Sequence, residues 1–245
     1  MRGVRWAGII AAGEGSRLGK SHPGLPKPLV PVAGRPLVHW VASSLRAAGV
    51  RHLWVLLNSR GDAVRSALRR SAEGMRVRFL RRDTASSWES FRLVSRALAG
   101  EAPRFLVSTV DAIVPPADAR RFAGESFARW GSAGGGSIPA AALGLTRFVD
   151  DEKPLWADFD ASGRVRGLGE DAARKRAVTC GLYALSAGAA GKLPGARRHG
   201  RLRDFWIDLV RSGAAVRGVM LSKTVDVDRP EDIPAAERVI RCFDA

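Results

Sequence analysis

The chain has 245 residues, with 40 Lys and Arg against 24 Asp and Glu and a net charge of +16. That length suits one large α/β domain or two small ones, with enough chain to bury a substantial core. No run of about eighteen uncharged apolar residues occurs, so no transmembrane helix is expected.

The first apolar run, 4–11, reads as a buried strand and stops at a loop holding Gly13, Gly15 and Gly19. A helix is expected over 36–48, where the apolar residues at 37, 38, 41, 45 and 48 fall close to one face. Further strands are expected at 52–58, 76–80, 104–110, 178–185 and 215–221, and further helices at 62–71, 88–99, 118–130, 202–211 and 231–243. Strand–helix alternation over the first 130 residues points to an α/β fold with a doubly wound, mostly parallel, Rossmann-like sheet. The alternation breaks at 131–144, a Gly/Ala/Ser-rich stretch that suits a flexible connection or tight backbone packing. Segments 155–159 and 164–168 flank Asp160-Ala161-Ser162-Gly163 and read as a hairpin. The later part is expected to add antiparallel strands that wall a pocket. No internal repeat is evident, and 1–245 is expected to act as a single domain with two parts, about 1–130 and 131–245.

The opening loop carries the clearest chemistry. Glycines let backbone N–H groups approach a phosphate closely, and two cations, Arg17 and Lys27, sit in and just beyond the loop. This pattern suits the gripping of a polyphosphate. Two better-known phosphate loops are excluded. Gly13-Glu14-Gly15-Ser16-Arg17-Leu18 has Leu18 where a dinucleotide fingerprint needs its third glycine. Gly19-Lys20-Ser21 resembles the end of a Walker A loop, but Glu14 stands where that motif needs its first glycine.

Three further places follow strand candidates, where open α/β sheets bind their ligands. Asp111 ends the run Phe105-Leu106-Val107-Ser108-Thr109-Val110 and is well placed for a hard dication, or for a turn bonded to its own backbone. Asp83-Thr84-Ala85-Ser86-Ser87 precedes a helix and offers either ligand contacts or a plain cap. Thr224-Val225-Asp226-Val227-Asp228-Arg229-Pro230-Glu231 puts two carboxylates on one face if extended, and Asp228-x-x-Glu231 also reads as a capped helix start. Two cysteines, Cys180 and Cys242, make no disulfide framework, and His22, His39, His52 and His199 lack zinc spacing. The N-terminal apolar stretch runs directly into Gly13 and Glu14, unlike a signal peptide, so the cytoplasm is the expected compartment. The arginine pairs at 69–70, 81–82, 120–121 and 197–198 are dispersed rather than gathered into a basic arm, so a solvated surface is expected and nucleic acid is not the expected partner.

Ala11-Ala12-Gly13-Glu14-Gly15-Ser16-Arg17-Leu18, the later Pro26-Lys27-Pro28-Leu29, and Val32-Ala33-Gly34-Arg35-Pro36-Leu37 resemble the signature of nucleotidyltransferases that activate phosphorylated sugars, polyols or choline. The flavour is similar to cytidylyltransferases for inositol phosphate or phosphocholine. The resemblance implies Arg17 and Lys27 as the catalytic cations on the nucleotide's phosphates. It implies nucleotide contacts from Ala12, Gly13, Glu14, Gly15, Ser16, Thr84 and Ser87. It implies Mg²⁺ held by Asp111 and Asp228, and an acceptor side formed by the later strands. Asp83 and Arg229 depart from the family pattern, which commonly has glycine and threonine there. Glu170, Thr179 and Lys223 are candidates for facing the acceptor. The implied partners are a nucleoside triphosphate, CTP favoured, and a phosphorylated small molecule. A pterin- or terpenoid-precursor transferase and a non-catalytic nucleotide- or RNA-binding protein are the alternatives.

Overall fold

A computed structural model describes residues 3–13, 18, 22–72, 74–128, 139–149 and 153–243. Four parallel strands form one half of the main sheet: β1 (Trp6–Ile10), β4 (His52–Leu57), β5 (Arg76–Arg81) and β6 (Arg104–Thr109). Two short pairs stand outside it, β2 (Pro31–Val32) with β3 (Arg35–Pro36), and β7 (Ala112–Ile113) with β13 (Val225–Asp226). The other half of the main sheet holds β8 (Ala141–Thr146), β9 (Trp156–Phe159), β10 (Val165–Leu168), β11 (Ala177–Ser186) and β12 (Val216–Met220).

The order runs β10-β9-β11-β6-β1-β4-β5, with β8 and β12 branching from β11. The ten-residue β11 makes the branch possible. Its later residues pair antiparallel with β6, its first two with β9, and its opposite edge with β8. Parallel and antiparallel halves therefore share one backbone ladder.

Alternation of side chains along the strands sorts the core into two layers. Ala7, Ile9, Leu53, Val55 and Leu106 face α1 (Leu37–Ala47), α2 (Asp62–Ser71) and α4 (Pro116–Glu125). Leu56, Phe105 and Val107 pack with Trp88, Phe91 and Val94 of α3 (Ser87–Ala99), and with Phe205 and Trp206 of α6 (Leu202–Arg211). A Cβ on Gly8 would collide with Val94, so the glycine lets α3 lie close on β1. A third cluster joins Val30, Val32 and Leu37 to Val225, Val227 and Ala236 of α7 (Asp232–Arg241). The short α5 (Ala187–Gly191) follows β11.

The doubly wound, mostly parallel sheet with antiparallel additions is the expected fold, and the 155–168 hairpin forms as β9 and β10. Three local expectations need correction. Of the two readings of 131–144, tight backbone packing holds for 141–144, a fully buried strand in which Gly144 lets β8 lie close to Cys180 of β11, and the flexible connection does not; residues 131–138 lie outside the described residues. β12 pairs parallel, not antiparallel, with β8. The helix expected at 118–130 runs from Pro116 to Glu125, since Pro116 suits a first helical turn.

Candidate functional site

Lys27 sits in a single 3₁₀ turn, Lys27–Leu29, fixed by Pro26 before it and Pro28 within it. The turn leaves the side chain 8% exposed and aims it inward. Its ammonium lies 2.5 Å from Asp111 Oδ2 and 2.5 Å from Asp228 Oδ1. Segments far apart in sequence thus meet at one nitrogen.

Each carboxylate is delivered by a different device. Asp111 stands two residues past β6, where the ladder ends. Asp228 is carried by the β13 strand, which pairs with β7, and by Val227 N–H donating to the Asp111 carbonyl at 3.0 Å. Asp228 does not cap the helix that follows. Asp232, 3% exposed, does the local bonding instead: its Oδ2 accepts from Asp228 N–H at 2.8 Å and Arg229 N–H at 2.7 Å. The capped-start reading of Asp228 is therefore corrected, and its Oδ1 accepts from Lys27 instead.

Burial works against all charge here. It would lower the Lys27 pKa, but the Asp111 and Asp228 charges outweigh it and hold the ammonium above the ordinary lysine value. Burial would raise the Asp111 carboxyl; the Lys27 charge, with hydrogen bonds from Lys27 and Thr109, holds it below its usual range instead. Both groups are ionised near neutrality.

Two cavities open on this cluster. One, of about 430 Å³, is walled by Ile10, Ala12 and Gly13 on the β1 side and by Thr84, Ala85, Ser86, Ser87 and Ser90 on the α3 side. Ser86 caps α3, accepting from Glu89 N–H at 3.1 Å, while Glu89 accepts from Ala85 N–H at 2.8 Å. Thr84 and Ser90 hydroxyls are 2.6 Å apart. The second cavity, of about 500 Å³, is lined by Thr179, Tyr183, Trp206, Asp226 and the cations Lys153, Arg201 and Arg203, among others. Ser87, Thr109, Asp111 and Asp228 line both cavities. Ser87 Oγ accepts from Leu202 N–H at 3.0 Å, bringing the first turns of α3 and α6 together at the junction. A Cβ on Gly181 would strike Thr109 Oγ1 and Ala112, so glycine there lets β11 pass close behind the junction.

The donor set suits a hard dication. Asp111 and Asp228 offer two carboxylates beside a cavity sized for phosphates, and no group of three or more His, Cys, Asp or Glu among the described residues is arranged to hold a metal ion by itself. Mg²⁺ is commonly held in this way, by one or two carboxylates completed by substrate phosphates and water.

Of the residues singled out in the sequence, Lys27, Ala12, Gly13, Thr84, Ser87, Asp111 and Asp228 come together around the first cavity, and Thr179 lines the second. Glu14, Gly15, Ser16 and Arg17 lie outside the described residues. Glu170 stands in a 3₁₀ turn, Gly169–Asp171, and Lys223 lies with its ammonium 4.0 Å from the Phe148 ring; neither lines either cavity. Tyr183, Trp206, Lys153, Arg201 and Arg203 escaped the sequence reading. Arg201 and Arg203 flank a helix start, which is a weak signal in a chain so rich in arginine.

Comparison with known proteins gives the family and the fold. The chain is 28% identical to the bifunctional IPC transferase and DIPP synthase of Rubrobacter xylanophilus, over 96% of this chain and 51% of that protein. It is 30% identical to the CMP-5'-(3-aminopropyl)phosphonate synthase of Streptomyces rubellomurinus, over 64% of this chain and 26% of that protein. It therefore spans about half or less of the length of these two relatives. Among solved structures, the inositol-1-phosphate CTP transferase from T. maritima superposes with a TM-score of 0.80 at 18% identity, covering 98% of each chain, and so shares the fold. Residues 7–140 match the family described as MobA-like NTP transferase domain, and the chain belongs to that family.

Proposed function

We propose that the protein transfers a nucleotidyl group from a nucleoside triphosphate to a phosphorylated small molecule, releasing pyrophosphate. The observation that carries this reading is the meeting of two cavities at Ser87, Thr109, Asp111 and Asp228, with the Lys27 ammonium against both carboxylates. One suits a nucleotide and the other a second substrate, and they share only the place where a bond between them would form. The part up to about residue 130 holds the nucleotide, and the remainder supplies most of the acceptor's walls, all within one domain.

No general base is needed, because a phosphate monoester is already largely dianionic at neutrality, with a second pKa of about 6. Its oxygen attacks the α-phosphorus in line, and pyrophosphate leaves. Negative charge grows on the leaving group, and Lys27 with Arg17 stabilises it more in the transition state than in the ground state. Asp111 and Asp228 would hold Mg²⁺, which when bound would neutralise phosphate charge. Positioning and electrostatics supply the catalysis, as in phosphoryl transfer generally.

CTP is the favoured donor and a phosphorylated sugar or inositol the favoured acceptor class. The names of relatives and neighbours support this, as do the small hydrogen-bonding groups of Thr84, Ser86 and Ser87, which suit a pyrimidine edge. No helix among the described residues is long and apolar enough to cross a membrane. We assign the protein to the cytoplasm because nucleoside triphosphates are found there. The test is a panel of the four nucleoside triphosphates against phosphorylated acceptors, with Mg²⁺, read by pyrophosphate release. Release with a cytidine donor and a polyol phosphate is expected; no release from any pair would sink the reading.

A further inference from the structure

We propose that the second cavity rejects acceptors whose body carries a positive charge, and that Arg203 sets this selection. The proposal rests on the transferase reading above and names the acceptor's chemical class: a phosphorylated molecule that is neutral or anionic beyond its phosphate.

Ser87, Thr109, Asp111 and Asp228 line both cavities, so the acceptor's phosphate has to reach them. The rest of the acceptor extends into the part that the nucleotide cavity does not share. There the wall carries Lys153, Arg201 and Arg203. Arg201 is held by Asp204 through two contacts, at 3.1 and 2.9 Å. Arg203 differs. It is half-buried, and its guanidinium donates to the Lys153 carbonyl at 2.6 Å. It makes no ion pair with a carboxylate among the described residues. One neutral oxygen fixes its position without cancelling its charge. The cavity's carboxylates, Asp111, Asp226 and Asp228, gather instead on and beside the β7–β13 pair next to the junction.

The aromatic surface sharpens the choice. Tyr183 and Trp206 stack with centroids 5.3 Å apart and an interplanar angle of 21°. The indole nitrogen of Trp206 is buried without a hydrogen-bond partner. Both rings are buried, Trp206 1% and Tyr183 8% exposed, so they offer little open aromatic face to hold a quaternary ammonium. A fixed guanidinium beside them adds repulsion against a cation. At a separation of about 6 Å and an effective dielectric of about 20, two like charges would discriminate on the order of 100-fold, and partial solvent access reduces this toward 10-fold. The acceptor's hydroxyls or anionic groups can instead accept hydrogen bonds from the guanidinium.

The experiment compares phosphocholine with its neutral isostere, the dimethylbutyl phosphate in which carbon replaces nitrogen. Each is measured as acceptor and as competitive inhibitor of the best acceptor, with CTP and Mg²⁺. Wild type should favour the neutral isostere by about 10-fold or more, and the margin should shrink as salt screens the charge. Arg203→Gln should bring the two probes within about threefold, and Arg203→Glu should favour phosphocholine. Equal handling of both probes by wild type, with pyrophosphate release intact, would overturn the charge selection and leave transfer standing. Equal weakening of both probes in Arg203→Gln would assign Arg203 to the phosphate they share and also overturn it. Failure of both probes to bind would do the same, since the cavity would then not admit this class of molecule. Absence of pyrophosphate release with every donor and acceptor would instead overturn the transferase reading itself. The wild-type ratio needs no variant, so a misfolded Arg203→Glu leaves the proposal testable.

Discussion

The two cavities on either side of Lys27 are built in opposite ways. The first is formed mostly at the ends of parallel strands β1, β5 and β6, and apart from the Lys27 cluster, Ile10 and Val110 it is lined by glycine, alanine, serine and threonine. The second is assembled from 153–155, 179–183, 201–206 and 226–228, and is lined by aromatic rings and cations. Close backbone approach and small donors suit a substrate part common to many enzymes, namely a nucleoside polyphosphate. Large side chains from scattered segments suit a part that differs from enzyme to enzyme. The two carboxylates of the cluster line both cavities and should serve both substrates.

The largest effect is expected at that shared cluster. Lys27→Met should lower turnover by about 100-fold or more, as should Arg17→Ala, since each removes a cation proposed to stabilise developing charge. Lys27→Met should also lose roughly 2–3 kcal/mol of stability, because it removes the ammonium that contacts both Asp111 and Asp228. That is below the value for a fully buried pair, because the Asp228 side chain is 46% exposed. Added Mg²⁺ should restore much of this loss by binding the native state. Thermal melts with and without Mg²⁺ would show it; a variant whose melting is unchanged and insensitive to Mg²⁺ would break the link between lysine and metal site.

Next come the carboxylates. Asp111→Asn and Asp228→Asn should each lower Mg²⁺-supported turnover by about 10- to 100-fold, because an amide is a poor ligand for a hard dication. Asp226→Asn should be milder, since Asp226 lines only the second cavity. If Asp226→Asn proved the severe one, the metal would sit on the acceptor side rather than at the junction.

Smaller effects should separate the cavities. Thr84→Val should raise the nucleotide's KM several-fold and leave the acceptor's nearly alone, while Thr179→Val should do the reverse, each losing about one hydrogen bond. Steady-state kinetics with both substrates varied would read the split; matching shifts in both constants would mean the cavities act as one. On the donor side, calorimetric titration with Mg²⁺ should show CTP binding more tightly than UTP and the purine nucleotides. Tighter UTP or GTP binding would redirect the donor assignment without touching the transfer chemistry.

The mildest test uses the cysteines. Burial, then the Asp226 charge, pushes the Cys180 thiol up to about 12. The folded chain therefore keeps this proton long after the unfolded chain has lost it. Its contribution to stability is intact below the ordinary thiol range, near 8.5, and falls as the pH rises above that. At pH 8, alkylation followed by mass spectrometry should mark exposed Cys242 and spare Cys180 until denaturant is added. Rapid labelling of Cys180 would show that the wall of the second cavity opens.

The same contrast explains what could be read in advance. The alternation of apolar runs at 4–11, 52–58 and 104–110 with helical periodicity already implied the doubly wound half, because period and burial are local properties of sequence. The glycine loop, Lys27 and Asp111 were legible because phosphate and metal chemistry restricts the residue types that can serve, and strand ends restrict their place. Asp228 was legible as a carboxylate but ambiguous in role, since a helix cap and a metal ligand look alike in one dimension. Only the bonding of Asp232 to its backbone released it. The strand at 141–146 was hidden because alanine and glycine carry no periodic apolar signal, and their value lies in fitting between β11 and β12. Arg203, Tyr183 and Trp206 could not be gathered from sequence at all. Their meeting depends on β11 lying antiparallel to β6 and on α6 docking its first turn on Ser87, and such long-range pairings leave no local trace. Local rules thus determined most of the first cavity, and the tertiary structure decided the second, because only folding brings distant side chains within reach of one another.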